Sequence, residues 1–453
     1  MNNNNNNNEL ATEPVGKLLL KYSMPAIIGM TVNALYISIN RLFIANIPDS
    51  ALAISGIGVS VPVMTMLMAF SMLLAAGTAT NMSLRLGEGK TEMAQRLVGN
   101  ATSLSVIAGV ALTLLYFIFG DFLLRLFGAS TNSFAYAKKF MDMFSLGFAP
   151  WILSLTLTFT MRADGSPRRA GVIMIIGAVV NVVLDYLLII KLEMGVAGAG
   201  LGVALTEFVT LALCLEYYLN GKSNLKFEYS FLKLDKKLVK MIVSIGMTPF
   251  VIQGAMSLSQ ITINNLLLKY GGDLAIGAMT TIMTILMLFF MPAIGITQGM
   301  QPIVGYNYGA RHLARARRVF ILAAIAGTAL LTVGMVCTEV FSEQIVGLFN
   351  KDPELLRITI DGIRKNTFTI PLIAFSVTGS TYILSIGKAR LAMLLSLLRQ
   401  IVVLIPCLFI LPLFLGLDGI WFSQPVGDIA SVIVVALVIY YEFKSYKKMR
   451  RHI

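Results

Sequence analysis

The chain has 453 residues, of which 57% are hydrophobic and 13% charged, about half the roughly 25% charge of a soluble domain. Water is therefore not its main solvent, and the bilayer is. The net charge of +13 does not point to nucleic acid, because the Lys and Arg residues collect in short breaks between long apolar runs.

The chain opens with Met1 and seven asparagines, Asn2 to Asn8. Residues 1–16 are expected to form a polar, disordered tail, because they hold too little apolar surface to offset chain entropy. Twelve apolar stretches then follow, at 17–39, 51–80, 93–119, 133–160, 166–190, 195–219, 239–267, 274–300, 317–340, 358–384, 389–413 and 417–443. Each is near the roughly 20 residues that a spanning helix needs. They are continuously apolar rather than alternating, which favours helices over a barrel. The expected fold class is an all-α polytopic membrane protein.

With both termini inside, the basic clusters at Arg168–Arg169, Lys233–Lys240, Arg311–Arg318 and Lys444–Arg451 fall on the cytoplasmic side, as the positive-inside rule requires. Cys214, Cys337 and Cys407 lie inside apolar stretches without metal-ligand spacing, so neither a disulfide framework nor a zinc site is expected.

A self-comparison gives a repeat at an offset of about 222 residues. Pro25 pairs with Pro249, Asn40 with Asn264, Gly89 with Gly309, and Ala94 with Ala314. Gly165 pairs with Gly387, Ala170 with Ala392, Gly195 with Gly416, and Gly198 with Gly419. An even number of spans per half makes this a parallel pseudo-two-fold repeat of two six-helix lobes, the kind that supports alternating access. The expected organisation is lobe 17–220, cytoplasmic linker 221–238, lobe 239–443 and a basic cytoplasmic tail 444–453.

The segment QPIVGYNYGA at Gln301–Ala310, followed by RHLARARR, resembles the signature after the eighth helix of the multidrug and toxic compound extrusion (MATE) family. SMPAIIGMTVNALY, DGSPRRA, NVVLD and GVAGAG are similar to their family counterparts, so the resemblance covers nearly the whole chain. Within the family it looks closest to the bacterial DinF-like branch. The resemblance implies twelve helices in two lobes, residence in a bacterial inner membrane, and antiport. Organic cations or amphiphilic drugs leave in exchange for H+ or Na+, with no further cofactor. The partners it implies are small-molecule organic cations or drugs and the lipid bilayer around a monomer, with no nucleic acid.

An ionisable side chain at the middle of a span costs roughly 2.5–3.5 kcal/mol and is a functional candidate by default. Asp185, in NVVLDYLLII, is the clearest, with Asn181 one turn earlier on the same face. Desolvation favours its protonated form, and the Asn181 carbonyl can accept a hydrogen bond or help coordinate Na+. In the family, the positions of Asn181 and Asp185 belong to an ion-linked network of the first lobe. Asn33, Tyr36 and Asn40 share a face of the first helix. Asn40 stands where relatives usually carry aspartate, and Val203 where many carry threonine, so one titratable partner of Asp185 is absent. The expected ion-coupling set is Asp185, Asn181, Asn40 and Tyr36, with Asp185 and Asn181 the Na+ ligands if sodium is the ion.

Candidates for a substrate cavity are Asn33, Gln253, Gln260, Asn264, Met287, Gln298, Glu207 and Asp428. Glu207 and Asp428 stand at matched places in the two halves, and Arg399 is expected to pair with Asp428. A lipid-linked precursor flippase is the alternative transporter, but it calls for a cationic cavity, and few spans carry basic residues. A membrane-embedded lipid-modifying enzyme is the alternative of another class. It lacks support: His312 and His452 lie in basic segments, and no nucleophile–base pair or HExxH is present.

Overall fold

The computed structural model describes residues 5–45, 47, 50–127, 129, 131–221, 223–225, 228–349 and 353–449. A few helical side chains, those of Asn33 and Tyr36 among them, lie outside the description. Among the described residues all regular structure is helical.

A short helix, α1 (Asn5–Thr12), occupies part of the segment expected to be structureless. Leu10 supplies the apolar anchor that the asparagines lack, and it is fully buried. The first half continues with α2 (Val15–Ala45), α3 (Ser50–Gly87), α4 (Thr91–Leu126), α5 (Thr131–Ser145) and α6 (Phe148–Ala163). It closes with α7 (Pro167–Lys191), whose last turns from Tyr186 to Lys191 are π-helical, and α8 (Gly195–Leu219).

The second half contains α9 (Lys236–Gly272), α10 (Leu274–Gly309), α11 (Leu313–Val340) and α12 (Ser342–Phe349). It ends with α13 (Pro353–Thr367), α14 (Ile370–Ser385), α15 (Ala389–Leu415, π-helical from Leu398 to Val403) and α16 (Leu417–Met449). Nine helices are long and apolar enough to span a bilayer among the described residues, or up to eleven when the bent pairs α5–α6 and α13–α14 each count once.

Two features depart from the simple reading of the spans. The fourth apolar stretch of each half is broken, by 54° between Ser145 and Phe148 and by 49° between Thr367 and Ile370. The helices also outrun their apolar windows. Helix α3 continues to Gly87, and in that extension the buried Asn81 amide donates to two carbonyls, Gly77 at 2.8 Å and Met241 at 2.9 Å.

Short turns recur along the chain. Gly89, Lys90 and Glu88 bond back to Leu86, Arg85 and Leu84, and Arg311, His312 and Ala310 bond to Tyr308, Asn307 and Tyr306. Every one of these atoms is displaced by 222 positions. The left-handed residue is Gly89 (φ 75°) in the first turn and Arg311 (φ 62°) in the second. Gly89 therefore corresponds to Arg311 and not to Gly309, and buried Ala94 to buried Ala316 rather than Ala314. Hydrogen-bond closure sets this register, and glycine identity does not. Gly165 (φ 85°) and Gly387 (φ 84°) keep the register read from sequence.

The chain divides into two compact units. The first comprises residues 1–13 and 28–250, the second residues 14–27 and 251–453. The start of α2 thus belongs to the second unit and the start of α9 to the first, with the change falling within two residues of Pro25 and Pro249. The first core gathers Phe140, Phe144, Phe148 and Ile152, and the second gathers Ile282, Leu286, Ile363 and Trp421.

Glycine makes the exchanged segments fit. In the first unit a Cβ on Gly246 would run into the Leu73 carbonyl oxygen, and one on Gly77 into that of Ile242. In the second, Gly295 and Gly299 meet the backbone of Ile27 and Ser23 at 2.7 Å. Gly246→Ala is expected to cost about 1–3 kcal/mol, as overpacking does, and to lower the thermal midpoint of the purified protein. Gly254, with nothing within 4 Å, should accept alanine without loss. Equal midpoints for the two variants would show that the crossing tolerates a methyl.

Residues 223–225 and 228–235 are bonded to the rest of the first unit. Asn100 holds the Phe231 and Lys233 carbonyls at 3.2 and 3.3 Å and receives the Asp235 N–H at 2.7 Å. Asp164, in the turn after α6, accepts bonds from Tyr217, Ser223 at 2.7 Å and the Asn224 N–H at 3.0 Å. Burial pushes the Asp164 carboxyl up to about 6 against the pull of these donors.

Candidate functional site

In the first unit, α7 and α8 pack so that Asp185 faces Gly202. A Cβ on residue 202 would collide with the Asp185 carboxylate, so glycine creates the space that the acid fills. Asp185 is fully buried, and neither carboxylate oxygen has a hydrogen-bond partner among the described residues. A bare buried carboxylate is among the costliest groups a protein can hold, a cost that a proton or a small cation beside it would relieve.

One turn earlier on α7, buried Asn181 joins two other helices. Its Oδ1 accepts the Asn40 amide at 2.8 Å, and its own amide reaches the Thr206 hydroxyl at 3.4 Å. Thr206 in turn donates to the Gly202 carbonyl at 2.8 Å. The Asn40 Oδ1 is buried and has no partner among the described residues. The cluster therefore offers three unengaged oxygens, two on Asp185 and one on Asn40, and a single formal negative charge. A proton on Asp185 or a small cation beside it would neutralise that charge, and the oxygen donors suit a hard ion. The π-helical turns that begin at Tyr186 directly follow Asp185, as π-bulges often do at functional positions.

The other candidates separate. Glu207 lies on α8, half-buried, and takes a 2.6 Å bond from Ser154 of α6. In the second unit Asp428 is fully buried and has three donors: Thr369 at 3.1 Å, Arg399 at 3.4 Å and Gln424 at 3.4 Å. Gln260 and Asn264 are exposed on α9 and joined at 3.0 Å. Met287 is exposed, Gln253 half-buried and Gln298 buried. The side chains of Asn33 and Tyr36 lie outside the described residues.

The pattern of the family described as MatE matches this chain twice, over residues 25–187 and 249–410. The chain belongs to the MatE family. This MatE chain is 26% identical over 434 residues to the multidrug export protein MepA of Staphylococcus aureus strain MSSA476, covering 94% of each. It is 25% identical to MepA of Staphylococcus haemolyticus strain JCSC1435, covering 94% of this chain and 93% of the relative. Its fold is similar to an outward-facing multidrug resistance MATE family transporter of the MOP superfamily, with a TM-score of 0.92, 23% identity, and 97% and 98% of the two chains covered. It is also similar to a MOP superfamily transporter from Pyrococcus furiosus, described as having a binding pocket of reversed polarity, with a TM-score of 0.91, 23% identity, and 97% and 98% coverage. The chain is thus a multi-pass membrane transporter with bacterial relatives, and its family is one of transporters and not of enzymes.

Sequence reasoning on this MatE chain did not single out Gly202, Thr206 or Ser154. Thr206 supplies, one turn after Val203, the hydroxyl that the family pattern led one to expect at that residue. A signal was available in Gly202 and Thr206, four apart on the α8 face that meets α7.

Proposed function

We propose that this protein is an ion-coupled multidrug exporter, moving organic cations or amphiphilic drugs outward in exchange for H+ or Na+ by alternating access. The observation that carries the reading is the buried Asp185 carboxylate, bare at both oxygens beside the Asn40–Asn181–Thr206 chain. The multidrug export relatives support the cargo. Taking up an ion at Asp185 cancels a buried charge, so the ion-loaded and ion-free bundles differ in energy, which is what couples an ion to a conformational equilibrium.

In this reading the chain has twelve spans in two six-helix lobes, 17–220 and 239–443, joined by the linker 221–238, with both termini in the cytoplasm. The two family matches, starting at residues 25 and 249, support that duplication. Asn33, Gln253, Gln260, Asn264, Met287, Gln298, Glu207 and Asp428 form the pool of cavity residues. The protein works as a monomer in a bacterial inner membrane and falls in the DinF-like branch.

Purified protein in proteoliposomes tests the proposal, with ethidium movement followed under an imposed proton gradient, sodium gradient or neither. One of the two gradients is expected to drive ethidium against its own gradient. Movement that is downhill under all three conditions would defeat the proposal.

A further inference from the structure

The first unit holds a second carboxyl that the Asp185 cluster does not use. Helix α8 has 25 residues, and Glu207 is the thirteenth, so about 18 Å of helix lies on either side of it. It follows Thr206 directly, about 100° around the helix. Thr206 turns to Asn181 of α7 while Glu207 turns to Ser154 of α6. The same helix thus presents one acid-linked face to α7 and another to α6.

Ser154 has one hydroxyl proton and two acceptors in reach, Glu207 Oε2 at 2.6 Å and the Trp151 carbonyl at 3.1 Å. When Glu207 is ionised, Ser154 donates to it. When Glu207 carries a proton, Glu207 donates to Ser154 Oγ and the serine proton turns to Trp151. Both charge states are satisfied without moving a heavy atom, as a group that gains and loses one proton requires.

The second unit provides an internal contrast. Asp428 stands 221 positions after Glu207, on the last helix of its half, and also receives a hydroxyl from the broken fourth span, that of Thr369. Arg399 of α15 adds a guanidinium there, 3.4 Å from the carboxylate. No such base pairs with Glu207 among the described residues. Helix α5 carries Lys138, Lys139 and Asp142, α6 Arg162, and α7 Asp185, and none of these is a hydrogen-bond or ion-pair partner of Glu207. The Cys214 thiol, seven residues on along α8, donates to the Ser154 carbonyl at 3.8 Å. One carboxyl and one hydroxyl offer too few oxygens for a metal cation, since hard divalent ions take six or more.

We propose that Glu207 and Ser154 form a second proton-binding site of the first unit, separate from Asp185 and filled and emptied in the transport cycle. This rests on the ion-coupled export reading, with Glu207 as the proton carrier and Ser154 as a positioning residue. Asp185 remains the primary ion site.

The test is pH-difference infrared spectroscopy on the reconstituted protein, together with the proton count per ethidium exported. Wild type is expected to show protonated-carboxyl absorption that fades as pH rises. Glu207→Gln should remove one component of it, and Asp185→Asn should leave that component in place. Ser154→Ala should move its midpoint to higher pH, because the anion loses its donor, and Ser154→Thr should restore it. Glu207→Gln should also export with one fewer proton per ethidium. An unchanged carboxyl spectrum in Glu207→Gln overturns the proposal, as does an unchanged proton count. If the export reading itself fails, ethidium is not driven in wild type, while the infrared titration still reports on Glu207.

Discussion

Asp185→Asn is expected to uncouple export while leaving the protein folded. Each positive charge that enters contributes about 2.3 kcal/mol at 100 mV. Losing one coupled charge therefore lowers the ethidium gradient sustained at that potential roughly 40-fold. The substitution keeps the shape of the side chain and removes a charge that has no partner among the described residues. Stability should accordingly hold or rise, because a bare buried charge is a cost. Two measurements separate this from a merely structural role: the steady-state ethidium gradient in proteoliposomes and the thermal midpoint in detergent. Full export with an unchanged midpoint would remove Asp185 from the ion site, and a collapsed midpoint would make its role one of packing.

Arg399→Gln is the second large effect, and it falls on stability. Asp428 is fully buried, Arg399 is 17% exposed, and the ion pair between them spans 3.4 Å. Removing one partner of a buried pair typically costs about 3–5 kcal/mol, because the other charge stays behind uncompensated. The thermal midpoint of Arg399→Gln should therefore fall well below that of wild type. The double variant Arg399→Gln with Asp428→Asn removes both charges and should recover most of the loss, a coupling that a double-mutant cycle measures. If the two single losses simply add in the double variant, the pair does not interact as the 3.4 Å geometry implies.

The acids of the spans divide what is legible in the sequence from what is not. Hydropathy placed Asp185, Glu207 and Asp428 inside spans, and the Arg399 to Asp428 pairing was readable because both lie in neighbouring apolar stretches. The different fates of the three carboxyls were not readable. Asp185 is bare, Glu207 has one hydroxyl and Asp428 has three donors. Each outcome depends on which residue of another helix stands opposite, and helix crossing geometry sets that. The Asn40 to Asn181 bond links positions 141 residues apart, a separation at which periodicity carries no information.

By itself, the sequence determined what depends on sums and local backbone rules: a helical membrane protein, most span boundaries to within a turn or two, and the matched glycines Gly165 and Gly387. Those follow because apolar transfer energy adds along the chain and because left-handed turns favour residues without a Cβ. The tertiary structure decided what depends on approach distance. It put Gly202 against Asp185 and Gly246 against Leu73, assigned Arg311 rather than Gly309 to the left-handed turn, and bent the fourth span of each half. Close packing sets each of these, and a contact of a few ångströms between distant residues leaves no trace in a window of local composition.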